Sequence, residues 1–265
     1  MAYMNRLILI ALVTTVSASP AWADVTVKST IVGKGMGMAG AIVSTTFIKG
    51  GKMRTDSVVG DTTRSSIIDM DTMKMYAFDS KTKEVEIYDI AKVADDISKN
   101  VQVNDMKASV KANGQSKAVS GKPASGYDMS VSVPAILGGD KGMKVTVNLL
   151  GPVWVVKNAP GTAEFLAFYK NAVDKGWFFS DPRSAKAQPG QAKAIGEMYR
   201  QLAATGGIPY ETEMNIKMVG EGQMAAMFEK MGNLSMTTTV SSVDTDALAA
   251  DLFAVPAGYK VKEQK

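Results

Sequence analysis

Between Phe47 and Ile90 the chain divides into short runs of alternating apolar and polar residues. Turn-forming pairs separate them at Gly50-Gly51, Gly60-Asp61, Asp71-Thr72 and Ser80–Lys83. Glycine adopts positive φ at no steric cost, and Asp and Ser side chains bond back to nearby amides, so each break has a turn mechanism. Strand-length runs with turn-length gaps predict an antiparallel meander of four or five strands. Such a sheet is expected to bury one face, and the rest of the chain must supply its cover.

The same two-residue period recurs on both sides. Val25, Val27 and Ile31 alternate with Thr26, Lys28 and Thr30, which predicts a strand from Asp24 to Gly33. Gly33–Gly40 is a glycine-rich joint without the Lys-Ser/Thr pair and helix of a phosphate loop, and Ala41–Ile48 leads into the meander. Ala91–Asn100 reads as a short helix. Val101–Val119 reads as one or two strands turning at Asn113-Gly114, with punctuation at Gly121-Lys122-Pro123 and Ser125-Gly126. Two strands follow around a Gly138–Gly142 loop. One puts Tyr127, Met129, Val131 and Val133 on its apolar face, and the other Met143, Val145, Val147 and Leu149, with Lys144, Thr146 and Asn148 outward. Gly151-Pro152 predicts a turn into Val153–Val156.

The period then becomes helical. Thr162–Lys175 carries Phe165, Leu166, Phe168, Tyr169, Ala172 and Val173 on a broad face, and Gln191–Ala204 carries Ile195, Met198, Tyr199 and Leu202. Strands resume at Tyr210–Val219, with Met214, Ile216 and Met218 on one face, and at Leu234–Val243. A short helix is expected around Gln223–Met231, and the end of the chain, Leu252–Lys265, reads as closing the domain and finishing in a solvated basic tail. No βαβ alternation occurs. The pattern defines an α+β, β-rich chain: a large antiparallel sheet that must curl or split, with the two late helices as the natural cover of its buried face.

Composition narrows the setting. Arg6, the apolar run Leu7–Val16 and Ala21-Trp22-Ala23 read as a signal peptide over residues 1–23, cleaved after Ala23. The run is too short to span a bilayer. The expectation is a periplasmic or secreted protein whose residues 24–265 form a single domain. It has no Cys, so burial rather than disulfides must hold it. The net charge of +4 is mild and its lysines are scattered, which argues against nucleic acid but leaves a membrane surface open as a partner.

The chemistry is mostly exclusion. With neither His nor Cys, Ser-His-Asp and Cys-His nucleophiles and the usual zinc sites are ruled out. Glu84 and Glu86 share one strand face opposite Val85 and Ile87, and are expected to be solvated rather than catalytic. Asp61, Asp69 and Asp71 lack calcium-loop spacing, so turn chemistry explains them better. The 18 Met residues are the unusual signal. Met70, Met73 and Met75 lie close enough for a Cu(I) thioether site, whereas Met129, Met143, Met214, Met218 and Met236 sit on apolar faces of separate strands. There they suit either a core or a cavity that repacks around variable cargo.

The segment FIKGGKMRTDS followed by SIIDMDTMKMYAFDSKTKEVEIYDI resembles a family of exported bacterial proteins of unknown function. The matching residues are Ile48, Lys49, Gly50, Lys52 and Arg54, then Asp69, Lys74 and Tyr76, with further similarity at Gly121–Tyr127 and Phe253–Tyr259. That family is similar to the lipoprotein-carrier superfamily. The resemblance implies an incomplete antiparallel barrel whose concave apolar face is covered by helices and holds acyl chains. The expectation is therefore a binding protein, not an enzyme, without a cofactor. Its ligand would be a lipid, an acyl chain or another amphiphile, and its partner a membrane surface or another envelope protein. Met75, Met129, Met143, Val145, Val147, Phe165, Phe168, Met214 and Met218 are the expected cavity residues. Arg54, opposite Met53, is expected to be exposed. A Met-based Cu(I) binder and an envelope interaction module without a small ligand are the alternatives.

Overall fold

The computed structural model describes residues 23–34, 40–99, 106–137, 143–177, 189–220 and 234–263. The expected signal peptide, the Gly138–Gly142 loop and the helix expected at Gln223–Met231 lie outside the described residues. Among the described residues twelve strands form one sheet. The first six are β1 (Val25–Lys34), β2 (Ala41–Lys49), β3 (Lys52–Val59), β4 (Thr62–Asp69), β5 (Lys74–Asp79) and β6 (Glu84–Asp89). The others are β7 (Lys107–Val119), β8 (Lys122–Leu137), β9 (Met143–Val156), β10 (Ile208–Gly220), β11 (Leu234–Asp244) and β12 (Lys260–Glu263). The described helices are α1 (Ile90–Ser98), α2 (Thr162–Asp174) and α3 (Pro189–Ala203).

The spatial order is β12-β6-β5-β4-β3-β2-β1-β11-β10-β9-β8-β7. Two sequential meanders are thus joined edge to edge where β1 pairs antiparallel with β11. The sheet is curved and does not close, because β12 and β7 remain as edges. At the β7 end the β7–β8 hairpin folds back over its neighbours. Lys117 pairs with Glu211 on β10, and Ser120 Oγ donates to the Val240 carbonyl on β11 at 2.5 Å.

The meander turns fall where the sequence placed them. Two are built alike. Asp69 accepts from the Asp71 and Thr72 amides, and Asp79 from those of Lys81 and Thr82. Each is followed by a residue at positive φ, Met73 and Lys83, which returns the chain into a strand.

Other expected breaks are absorbed into strands. At Asn113-Gly114 β7 bulges instead of turning: Asn113 accepts from the Gln115 amide and donates to Asp128. Ser125-Gly126 lies inside β8, where a Cβ on Gly126 would meet Trp154 at 3.0 Å. Gly151-Pro152 lies inside β9, where a Cβ on Gly151 would stand 1.9 Å from the Glu213 carbonyl oxygen. In both cases glycine marks close approach to a neighbour, which a sequence reads as a turn.

The sheet buries apolar side chains on both faces. On one, Val25, Ile48, Met53, Ile68, Met75 and Tyr88 form a continuous cross-strand row within the main core. That core also takes Ile90, Val93 and Ile97 of α1, Phe165 and Phe168 of α2, and Met198 and Leu202 of α3. On the other face Ile67, Phe78 and Val85 form a smaller core, covered by Val255 and Tyr259. The stretch expected to close the domain does so as a strap, and its basic end, Lys260–Lys262, is exposed. It crosses a face expected to be wet and ends as β12, which runs parallel to β6. Arg54 is not free under it. Its side chain is 17% exposed, donates to Asp56 and to the Leu252 carbonyl, and stands 5.6 Å from the centre of the Phe78 ring.

Candidate functional site

The candidate site is the region where α2 and α3 meet the sheet. α2 packs toward β10 and β2, and α3 toward β7, β8 and β9. Helix α2 is held at both ends. The Ala23 amide donates to Glu164 in its first turn at 3.0 Å, and Lys175 Nζ donates to the Met70 carbonyl at 2.9 Å. Its start needs Gly161, at φ 69°, because a Cβ there would lie 2.6 Å from Val25.

The two helices meet through aromatic rings. Tyr169 stacks on Tyr199 with centroids 4.8 Å apart and planes 19° from parallel. Phe165 lies 4.6 Å from Tyr169, and Trp177, just beyond α2, lies 6.1 Å from it. Offset and edge-on ring pairs of this kind add to the gain from burial alone. Burial raises both phenol pKa values, that of Tyr169 well above the ordinary tyrosine range, with Tyr199 adding to the effect. Trp177 is 3% exposed, and its indole Nε1 has no hydrogen-bond partner among the described residues. A small apolar slot opens beside this stack, lined by Phe165, Leu166, Tyr169, Tyr199, Leu202 and Pro209. It admits only about 10 Å³ of water-sized space.

Of the nine expected cavity residues, Met75, Met129, Val147, Phe165, Phe168 and Met214 all lie in the main core. Val145 is buried, Met218 is half-buried, and the Met143 side chain lies outside the described residues. The strand faces fall as the alternation predicts: Val145, Val147 and Leu149 are buried while Lys144 is exposed. Met75, on β5, stands at the other wing of the sheet from the α3 contacts. Sequence reasoning missed Trp177, which lies past the expected helix end and shows no periodicity of its own. It also missed Glu197, buried on α3, where it accepts from Gln201 and lies 3.3 Å from Arg200.

The rejected chemistries have plain structural roles. Glu84 pairs with Lys262 at 2.7 Å, and Glu86 accepts from the Tyr88 hydroxyl. Asp69 is buried, which works to raise its pKa. The Thr72 amide, Lys52 and the Asp71 amide outweigh that and hold it below its ordinary value. Among the described residues no three acidic side chains gather as metal ligands. Met70 and Met75 are 0% exposed within the main core, and half-buried Met73 packs against it.

No protein-family model and no curated protein matches the chain. Among solved structures, that of PNGF-II in space group C2 is similar with a TM-score of 0.35 and 8% identity. The likeness covers 91% of this chain and 31% of that one, so this chain spans under a third of its length. A likeness this slight carries no argument about function.

Proposed function

We propose that the protein is an exported, non-catalytic carrier of a hydrophobic or amphiphilic ligand, such as a lipid or lipoprotein acyl chain. The ligand would lie between α2–α3 and the sheet, the helices closing the concave side of an incomplete barrel as in the lipoprotein-carrier fold. The observation that carries this reading is the buried indole N–H of Trp177, which has no partner among the described residues and sits in the aromatic cluster whose Tyr169 and Tyr199 line the apolar slot. A buried donor without an acceptor costs about 1–3 kcal/mol, so its presence in a native structure asks for a partner. An ester or carboxyl oxygen at the head of an acyl chain would supply one. The floor would be Met129, Val147 and Met214, and methionine repacks readily around variable cargo. Each methylene withdrawn from water contributes about 0.8 kcal/mol, so ten give a gross gain of about 8 before ordering costs. The slot as it stands is far too small for an acyl chain, so loading requires α2 and α3 to part along their aromatic seam.

The test is titration with a fatty acid and with an environment-sensitive apolar dye. Trp177→Phe should keep the fold and weaken fatty-acid binding more than dye binding, because only the acid brings an acceptor. Phe165→Ala together with Phe168→Ala should weaken both. A parent protein that binds neither ligand, with a double variant that unfolds, would mean the rings simply fill a core.

A further inference from the structure

The sheet face away from the helices carries a cleft that the carrier reading does not use. Alternation along β1, β11 and β10 places Lys34, Ser235 and Asn215 in one cross-strand row, and Val32, Thr237 and Glu213 in the next. Together with Met214 and Met236 between the rows, these six residues line a cleft of about 160 Å³. The sheet is irregular beside it. Glu213 faces the Gly151-Pro152 stretch of β9, where the paired register skips from Thr212↔Val153 to Asn215↔Leu150. Proline offers the ladder no N–H there.

The charges make the cleft selective. Lys34 and Glu213 are both exposed, and no ion pair among the described residues involves either. They stand two strands apart, roughly 10 Å, and two residues along, roughly 7 Å. That separation keeps the two backbones from forcing a direct pair, while both side chains border the same space. Between them lie two hydroxyls and an amide, groups that both donate and accept. A lone cation at one end, a lone anion at the other and a neutral polar floor complement a ligand with the opposite arrangement.

We propose that this cleft binds a small zwitterion. The ligand's ammonium would lie toward Glu213, its carboxylate or phosphate toward Lys34, and its polar middle over Asn215, Ser235 and Thr237. A free metabolite and the head group of a zwitterionic phospholipid share this chemistry.

The test is an NMR amide titration of the folded protein with glycylglycine and with O-phosphoethanolamine, and co-sedimentation with phosphatidylethanolamine vesicles. The expected result is millimolar binding, with shifts confined to the two rows. Glu213→Gln and Lys34→Gln should each weaken it several-fold with the rest of the spectrum unchanged, and added salt should weaken it further, since the charges are exposed. Binding of the soluble zwitterions identifies a small-molecule site, and vesicle binding alone, lost in both variants, identifies a head-group site. No shift with any probe, equal shifts with glycerol, or full affinity in both variants would overturn the proposal. The cleft lies on the face opposite α2 and α3. Fatty-acid binding should therefore be intact in both variants, and failure of either site leaves the other standing.

Discussion

Asp69 shows how much of the meander rests on one side chain. It receives two turn amides and pairs with Lys52 at 3.0 Å, and it is itself buried. Its folded pKa is lowered, so its stabilisation is fully present above the carboxylate's unfolded pKa. It is lost as pH falls through the lower folded value. Asp69→Asn keeps an acceptor for the amides but loses the charge, and should cost about 1 kcal/mol near neutral pH. Parallel urea melts should show that gap closing below about pH 4, and a gap that persists at low pH would assign the effect to packing instead. This turn was legible in the sequence because Asp followed by a polar pair has a local mechanism. The environment of Arg54 was not, because it depends on the Leu252 carbonyl, distant in the chain, and that of Trp177 was not, because the residue lies past the helix end outside any period.

At the scale of elements, periodicity was the most faithful guide and punctuation the least. The period of two in β8 and β9 gave the buried face residue by residue. Val147→Asp should therefore abolish folding by burying an unpaired charge, whereas Thr146→Asp should shift the melting temperature only slightly. Equal damage from both would mean that β9 is covered on both sides along that stretch. Where Gly or Pro stood between two apolar runs, the sequence implied a turn, yet β8 and β9 continue through Ser125-Gly126 and Gly151-Pro152. A glycine needed to let a neighbour approach and a glycine needed for positive φ look the same in one sequence. The nine expected site residues were legible as buried, since alternation and helical spacing report burial. Neither period tells a filled core from a cavity, so the slot and the indole without a partner among the described residues came only from the fold.

For the whole molecule, the C-terminal strap changes the architecture from a sheet with one dry face to one with two. Lys49 donates to the Leu248 carbonyl, Asp24 accepts from the Leu248 amide, and Arg54 holds the Leu252 carbonyl. The strap is thus pinned along its length before β12 reaches β6. Ending the chain after Asp244 would uncover Ile67, Phe78 and Val85, a loss of roughly 5 kcal/mol from those side chains. Urea denaturation should show that loss together with new dye binding. Unchanged stability would mean that the second core contributes little. That this stretch closes the domain was legible, but not that it covers a second face and ends as a strand, because Val255, Tyr259 and Val261 are too sparse to carry a period.

The seam between β1 and β11 also fixes an order of events. Thr30 lies beside Thr239, so the strand that begins the sheet waits for one made roughly two hundred residues later. Until then β1 keeps an open edge, the kind of surface that recruits another chain. Contacts so distant in sequence are paid for in loop-closure entropy before they return anything, which slows folding. A chain folding from its N-terminus would have its first meander able to assemble and its centre unfinished. The middle of the finished sheet is therefore the last place to form and the stretch most in need of a chaperone's cover.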